Sequence, residues 1–85
     1  MSTNQTILLV DDEVDLLEAL ELNMQMSGFK TLTATSGNKA FEVFQKENVD
    51  AIVTDIKMAD GNGIELLKRV KKTNRSLPVV SFITR

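Results

Sequence analysis

Short unbroken apolar runs alternate along this chain with stretches whose apolar positions recur every three to four residues. "TILLV", ending at Val10, is a continuous aliphatic run, the pattern of a strand buried on both faces. From Glu13 to Ser27, Leu16, Leu17, Leu20 and Met24 fall at helical spacing, with Glu18, Glu21 and Gln25 on the other side. Gly28 follows where a helix C-terminal glycine belongs. "FKTLTAT" predicts a second strand, and Ser36 offers an N-cap to a helix carrying Ala40, Val43 and Phe44 on one stripe. "VDAIVTD" predicts a third buried strand that ends on Asp55. "KMADGNG" is loop chemistry, and Ile64 to Lys72 predicts a helix with Leu67 and Val70 inward. Pro78 opens a last apolar strand, "VVSFIT", at a position where a missing N–H is tolerated.

Strand and helix therefore alternate βαβαβαβ, which predicts an α/β fold with a parallel sheet covered by helices on both faces. No internal repeat, linker or low-complexity tract interrupts the alternation. The 85 residues make one small domain, whose core is marginal unless a partner completes it. In open parallel sheets, function gathers beyond the carboxyl ends of the strands. Those ends carry Asp11 and Asp12 after the first strand, Asp55 at the third and Thr84 at the fourth. If the crossover goes out and back, the first and third strands are neighbours. Three carboxylates then converge on one spot.

Composition narrows the chemistry. A net charge of −2 advertises no nucleic-acid or anionic-membrane surface. With no cysteine, neither a disulfide scaffold nor a thiolate metal site is possible. With no histidine, the usual general base and the commonest transition-metal ligand are both absent. The apolar runs are too short to span a bilayer, and "MSTNQT" has no apolar signal core. The expectation is a soluble cytoplasmic protein that works with carboxylates, hydroxyls and amines.

Adjacent carboxylates repel, and each resists losing its water, so Asp11 and Asp12 need a reason to stand together. A helix cap at Asp12 is one reading and a bound cation is another. Asp55 precedes a loop, which the cap reading fits poorly. Converging oxygen ligands suit Mg²⁺, and the cation offsets the repulsion. One carboxylate can then act as a nucleophile towards a phosphoryl group, with a nearby hydroxyl helping to spread the transferred charge. Asp55, alone on a central strand, is the candidate nucleophile. Other features have plainer readings. "ADGNG" reads as a turn, and Met24, Met26 and Met58 as packing or loop residues. Lys68, Arg69, Lys71 and Lys72 read as a solvated helix face rather than a DNA site.

"ILLVDDE", "DAIVTDIKMADGNGIELL" and "LPVVSFIT", in this order and spacing, resemble the receiver domain of bacterial two-component response regulators. The resemblance covers essentially the whole chain and implies a flavodoxin-like fold. It implies that Asp55 accepts phosphate from a histidine kinase. It further implies that Asp12 binds Mg²⁺ directly, Asp11 helps through water, and Lys57 offers its backbone carbonyl. Thr84 is then the switch hydroxyl, and Gly63 matches the family's loop glycine, where positive φ is cheap. Two departures stand out. Ala59 replaces a usual proline, which leaves the loop less rigid. The family also continues past the threonine with a helix, a fifth strand bearing a phosphoryl-contacting lysine, and a final helix, whereas this sequence stops at Arg85. The expectation over 1–85 is thus a truncated receiver, (βα)3β, lacking the last helix-strand-helix. Loss of the lysine predicts impaired phosphoryl transfer rather than loss of the metal site. It also makes the apolar fourth strand an edge, which predicts a homodimer or segment-exchanged assembly through Val79–Thr84. Two function classes remain: a phosphoacceptor signalling module, not an enzyme beyond self-catalysed transfer, and a non-phosphorylated self-assembling interaction module.

Overall fold

The computed structural model describes residues 4–56 and 63–82, with Phe82 described by its backbone alone. Seven elements follow one another: β1 Thr6–Val10, α1 Val14–Met26, β2 Lys30–Ala34, α2 Gly37–Lys46, β3 Ala51–Asp55, α3 Gly63–Thr73 and β4 Val79–Phe82. The strands form one parallel sheet in the order β2-β1-β3-β4. The chain thus passes outward from β1 to β2 and back to β3, which makes β1 and β3 neighbours. This is the parallel α/β sheet that the alternation predicts, with the flavodoxin-like reversal of strand order at β1 and β3.

The aliphatic run of β1 is explained by burial on both faces. Leu8 and Val10 point to a core shared with Ile52 of β3, Ala40 of α2, and Leu66 and Val70 of α3. Ile7 and Leu9 point the other way, onto Leu17 of α1, with Leu20, Met24 and Val53 packed around them. The period-two alternation of strand side chains sends successive residues to opposite layers, and both layers here are apolar.

The helix ends follow local rules. Ser36 caps α2 by accepting the Lys39 N–H at 3.1 Å. Gly28 takes φ 94° just past α1, and its N–H donates to the Gln25 carbonyl at 3.0 Å. The inward face of α3 differs from the predicted one. Leu66 and Val70, at 1% and 0% exposure, fill the core, and Leu67 is only half-buried. Residues four apart lie nearly in line on a helix, so the 66/70 pair makes a better stripe than 67/70.

The basic residues of α3 are not one solvated face. Lys68 and Lys72 are exposed, but the Arg69 guanidinium lies 4.1 Å from the Phe41 ring centroid and donates to Asn38 Oδ1 at 3.1 Å. Lys71 Nζ donates to the Leu77 carbonyl and, at 3.3 Å, to that of Arg75. Their aliphatic stems and charged heads tie α3 to α2 and to the loop before β4. Among the described residues β4 is an outer strand, and Val80 is 57% exposed. Of the predicted edge Val79–Thr84, residues 83 and 84 lie outside the described part. No helix among the described residues is long and apolar enough to cross a membrane.

Candidate functional site

β1 ends at Val10, whose register partner on β3 is Thr54. One residue further along each strand come Asp11 and Asp55, side by side at the carboxyl edge of the sheet. Both are fully buried. Asp12, next in the chain, is more open, although its Oδ1 is enclosed. One carboxylate oxygen from each of the three lies within 4.8 Å of the others. The convergence expected from strand order is therefore present.

Asp11 is held from two directions. Its N–H donates to the Ala34 carbonyl at 3.2 Å, extending the β1–β2 pairing by one step. Its Oδ1 accepts the Glu13 N–H at 2.8 Å. The other oxygen, Oδ2, is buried as well. The cap reading of Asp12 does not hold, because the N-cap of α1 falls at Glu13 and no side chain caps it there. The acid pair is thus not explained by helix capping. Asp55 is the last residue of β3, and its carbonyl accepts the buried Thr54 hydroxyl at 3.1 Å.

The donor set fits a hard divalent cation. Around an octahedral Mg²⁺ with bonds of about 2.1 Å, oxygens stand roughly 3 to 4.2 Å apart. No pair exceeds 4.8 Å; at most one pair can sit opposite across the ion, and the others close towards about 3 Å, a movement of up to roughly 2 Å that carboxylate rotation can supply. All donors are oxygen, as Mg²⁺ prefers over soft metals.

Lys57 and Thr84, the remaining predicted site residues, lie outside the described residues, as do Ala59 and the rest of 57–62. The backbone of β4 nevertheless leads towards the site, since Phe82 is the register partner of Asp55. Gly63 departs from expectation. Its φ is not positive, Gly28 being the sole glycine of that kind among the described residues. Close approach explains it instead: a Cβ there would stand 2.3 Å from the Asp55 carbonyl oxygen. The "DGNG" stretch signals a glycine need, but sequence alone does not distinguish a turn from a contact.

Comparison with known proteins agrees with this architecture. Residues 7–85 match the response regulator receiver domain family. The chain is 34% identical over 74 residues to the transcriptional regulatory protein GlrR of Escherichia coli K12, covering 87% of this chain and 17% of that protein. It is 32% identical over 77 residues to the alkaline phosphatase synthesis transcriptional regulatory protein PhoP of Bacillus subtilis, covering 91% of this chain and 32% of that one. The chain therefore spans a third or less of these curated relatives. Among solved structures, the response regulator TrrA of Thermotoga maritima, in complex with Mg(2+)-BeF, superposes with a TM-score of 0.84 at 29% identity, over 93% of this chain and 67% of that one. TrrA in complex with the histidine kinase ThkA superposes with a TM-score of 0.88 at 29% identity, over 94% of this chain and 69% of its own. Sheet order, acidic cluster and sequence match agree, and the chain belongs to the receiver domain family of two-component response regulators.

Proposed function

We propose that this receiver domain accepts a phosphoryl group on Asp55, with Mg²⁺ held by Asp11, Asp12, Asp55 and the backbone carbonyl of Lys57. One observation carries the reading: three carboxylates from β1 and β3 bring oxygens within 4.8 Å of one another at the carboxyl edge of the sheet. Mg²⁺, when bound, supplies positive charge against the carboxylates and the transferred oxygens. Asp55 is the nucleophile; its carboxylate oxygen forms the bond to phosphorus as the donor's bond to phosphorus breaks. The donor keeps the bonding electron pair. Asp11, pinned by Glu13 and Ala34, holds its charge still, so no reorganisation is needed at the moment of transfer. Asp12 sits at the open side, where an ion enters. Thr84, two residues beyond the register partner of Asp55, is the hydroxyl that meets the phosphoryl group.

Residues 1–85 contain no histidine, so a phosphohistidine donor lies outside them. A histidine kinase is that donor in this reading, and the complex of the relative TrrA with ThkA supports it. The domain is a signalling element of the cytoplasm, its only chemistry self-catalysed phosphoryl transfer.

A second reading, self-association without phosphorylation, is favoured by the outer position of β4 and the exposed Val80. Intact-mass analysis after incubation with Mg²⁺ and acetyl phosphate separates the two. The phosphoacceptor reading expects one phosphoryl adduct on the parent and none on Asp55→Asn. No adduct on either, together with a dimeric solution mass, favours the second.

A further inference from the structure

Within the phosphoacceptor reading, we propose that Gly63 is a positioning residue for Asp55. The missing side chain lets the first turn of α3 rest directly on the Asp55–Ile56 backbone, and that contact sets where the acceptor carboxylate stands. An ideal Cβ at Gly63 would lie 2.3 Å from the Asp55 carbonyl oxygen, 2.8 Å from Ile56 Cα and 3.0 Å from the Asp55 carbonyl carbon. All three are main-chain atoms, so none can swing aside as a flexible side chain would. The Gly63 N–H donates to the Ile56 carbonyl at 3.1 Å, which holds the two segments in this close approach.

The usual reasons for glycine do not apply here. Its φ is not in the left-handed region, so alanine could adopt the backbone. Gly63 is the first residue of α3, where helix propensity supplies no reason to prefer glycine over alanine. The helix cannot simply retreat from an added methyl either, because Leu66 and Val70 fix it in the core at 1% and 0% exposure. The strain then falls on the Asp55–Ile56 peptide, whose carbonyl oxygen is already approached by the Thr54 hydroxyl. Asp11 and Asp12 hang from β1 and the start of α1, apart from this contact, and stay where they are. A substitution at Gly63 therefore shifts one carboxylate of the cluster relative to the other two.

The test uses acetyl phosphate with saturating Mg²⁺ on the parent, Gly63→Ala and Leu66→Ala. In the reaction the Asp55 oxygen bonds to phosphorus, the acetyl oxygen–phosphorus bond breaks, and acetate leaves. Displacements of about an ångström can cost on the order of a hundredfold in rate, so Gly63→Ala should react at least tenfold more slowly at saturation while keeping its circular dichroism. Leu66→Ala, which loosens the same helix away from the contact, should lose stability but react at nearly the parent rate below its melting temperature. Parent-like rate and Mg²⁺ affinity in Gly63→Ala would overturn the proposal, and so would an equal slowing in both variants.

If the parent takes up no phosphoryl group, the acceptor reading fails by itself, and Gly63 is judged on Mg²⁺ affinity. Several-fold weaker binding in Gly63→Ala supports the role; equal binding removes it. A parent that neither reacts nor binds Mg²⁺ overturns both. If Gly63→Ala does not fold, amide resonances of the parent decide. The Gly63 amide should move with that of Asp55, at one midpoint, as Mg²⁺ is added. A stationary Gly63 beside a moving Asp55 would overturn the role.

Discussion

Replacing Asp11 with asparagine removes a charge from the acidic cluster and little else. The asparagine oxygen can still accept the Glu13 N–H that Asp11 Oδ1 accepts at 2.8 Å. At the 4.8 Å outer limit of the cluster, two carboxylates repel by about 3.5 kcal/mol at an effective dielectric of about 20. Asp11 has two such neighbours, one fully buried and one more open. Water and salt at the open side, and the cost of seating an amide, reduce the net gain to about 1 kcal/mol. For a domain of this size that raises the melting temperature by roughly 4–8 °C. The metal response runs the other way. Mg²⁺ at about ten times its dissociation constant stabilises the parent by roughly 1.4 kcal/mol, and the variant, short of a ligand charge, gains much less at the same concentration. Thermal unfolding followed by circular dichroism, with and without Mg²⁺, reads both effects. Asp11→Asn should melt higher than the parent in chelator and lose most of the Mg²⁺-dependent shift. A variant that melts lower without metal, or gains as much from Mg²⁺ as the parent, would refute the electrostatic reasoning.

Three further outcomes are expected. Ser36→Ala removes the capping oxygen that holds the Lys39 N–H and should cost about 1 kcal/mol, seen as a lower denaturant midpoint with an unchanged slope. Ile52→Ala empties a fully buried position between β1 and β4 and should cost roughly 2–5 kcal/mol, a large share of a small domain's stability. A midpoint close to the parent's would mean the core is not packed as described. Val80→Lys places a charge on the outer strand and should lower the solution mass, by light scattering, of any homotypic assembly; an unchanged assembly would exclude pairing through β4.

The legible part of this fold is what one-dimensional periodicity encodes. "TILLV" and "AIVTD" announce strands buried on both faces, and the order of elements leaves few topologies besides β2-β1-β3-β4. Because Asp11 and Asp12 follow directly on the first of these strands and Asp55 ends the second, strand order alone brings them together. The rotation of α3 was harder to read. Leu66 and Leu67 are adjacent leucines, and only packing against Ile52 and Val10 selects the first. Arg69 resembles its lysine neighbours in sequence, yet its partner Phe41 lies on another helix, a pairing that no local pattern reports. Gly63 shows the same limit. A glycine in a loop suggests a turn, whereas its value here depends on the Asp55 carbonyl, which only tertiary structure places against it.

The central claim is that phosphorus bonds to the side chain of Asp55. After reaction with acetyl phosphate and Mg²⁺, borohydride reduction converts a phosphorylated aspartate to homoserine, which peptide mass spectrometry locates. Homoserine at position 55 alone, and none when Mg²⁺ is chelated, is the result predicted. Homoserine at Asp11 or Asp12, or unmodified aspartate at 55 in protein that binds Mg²⁺, would contradict it.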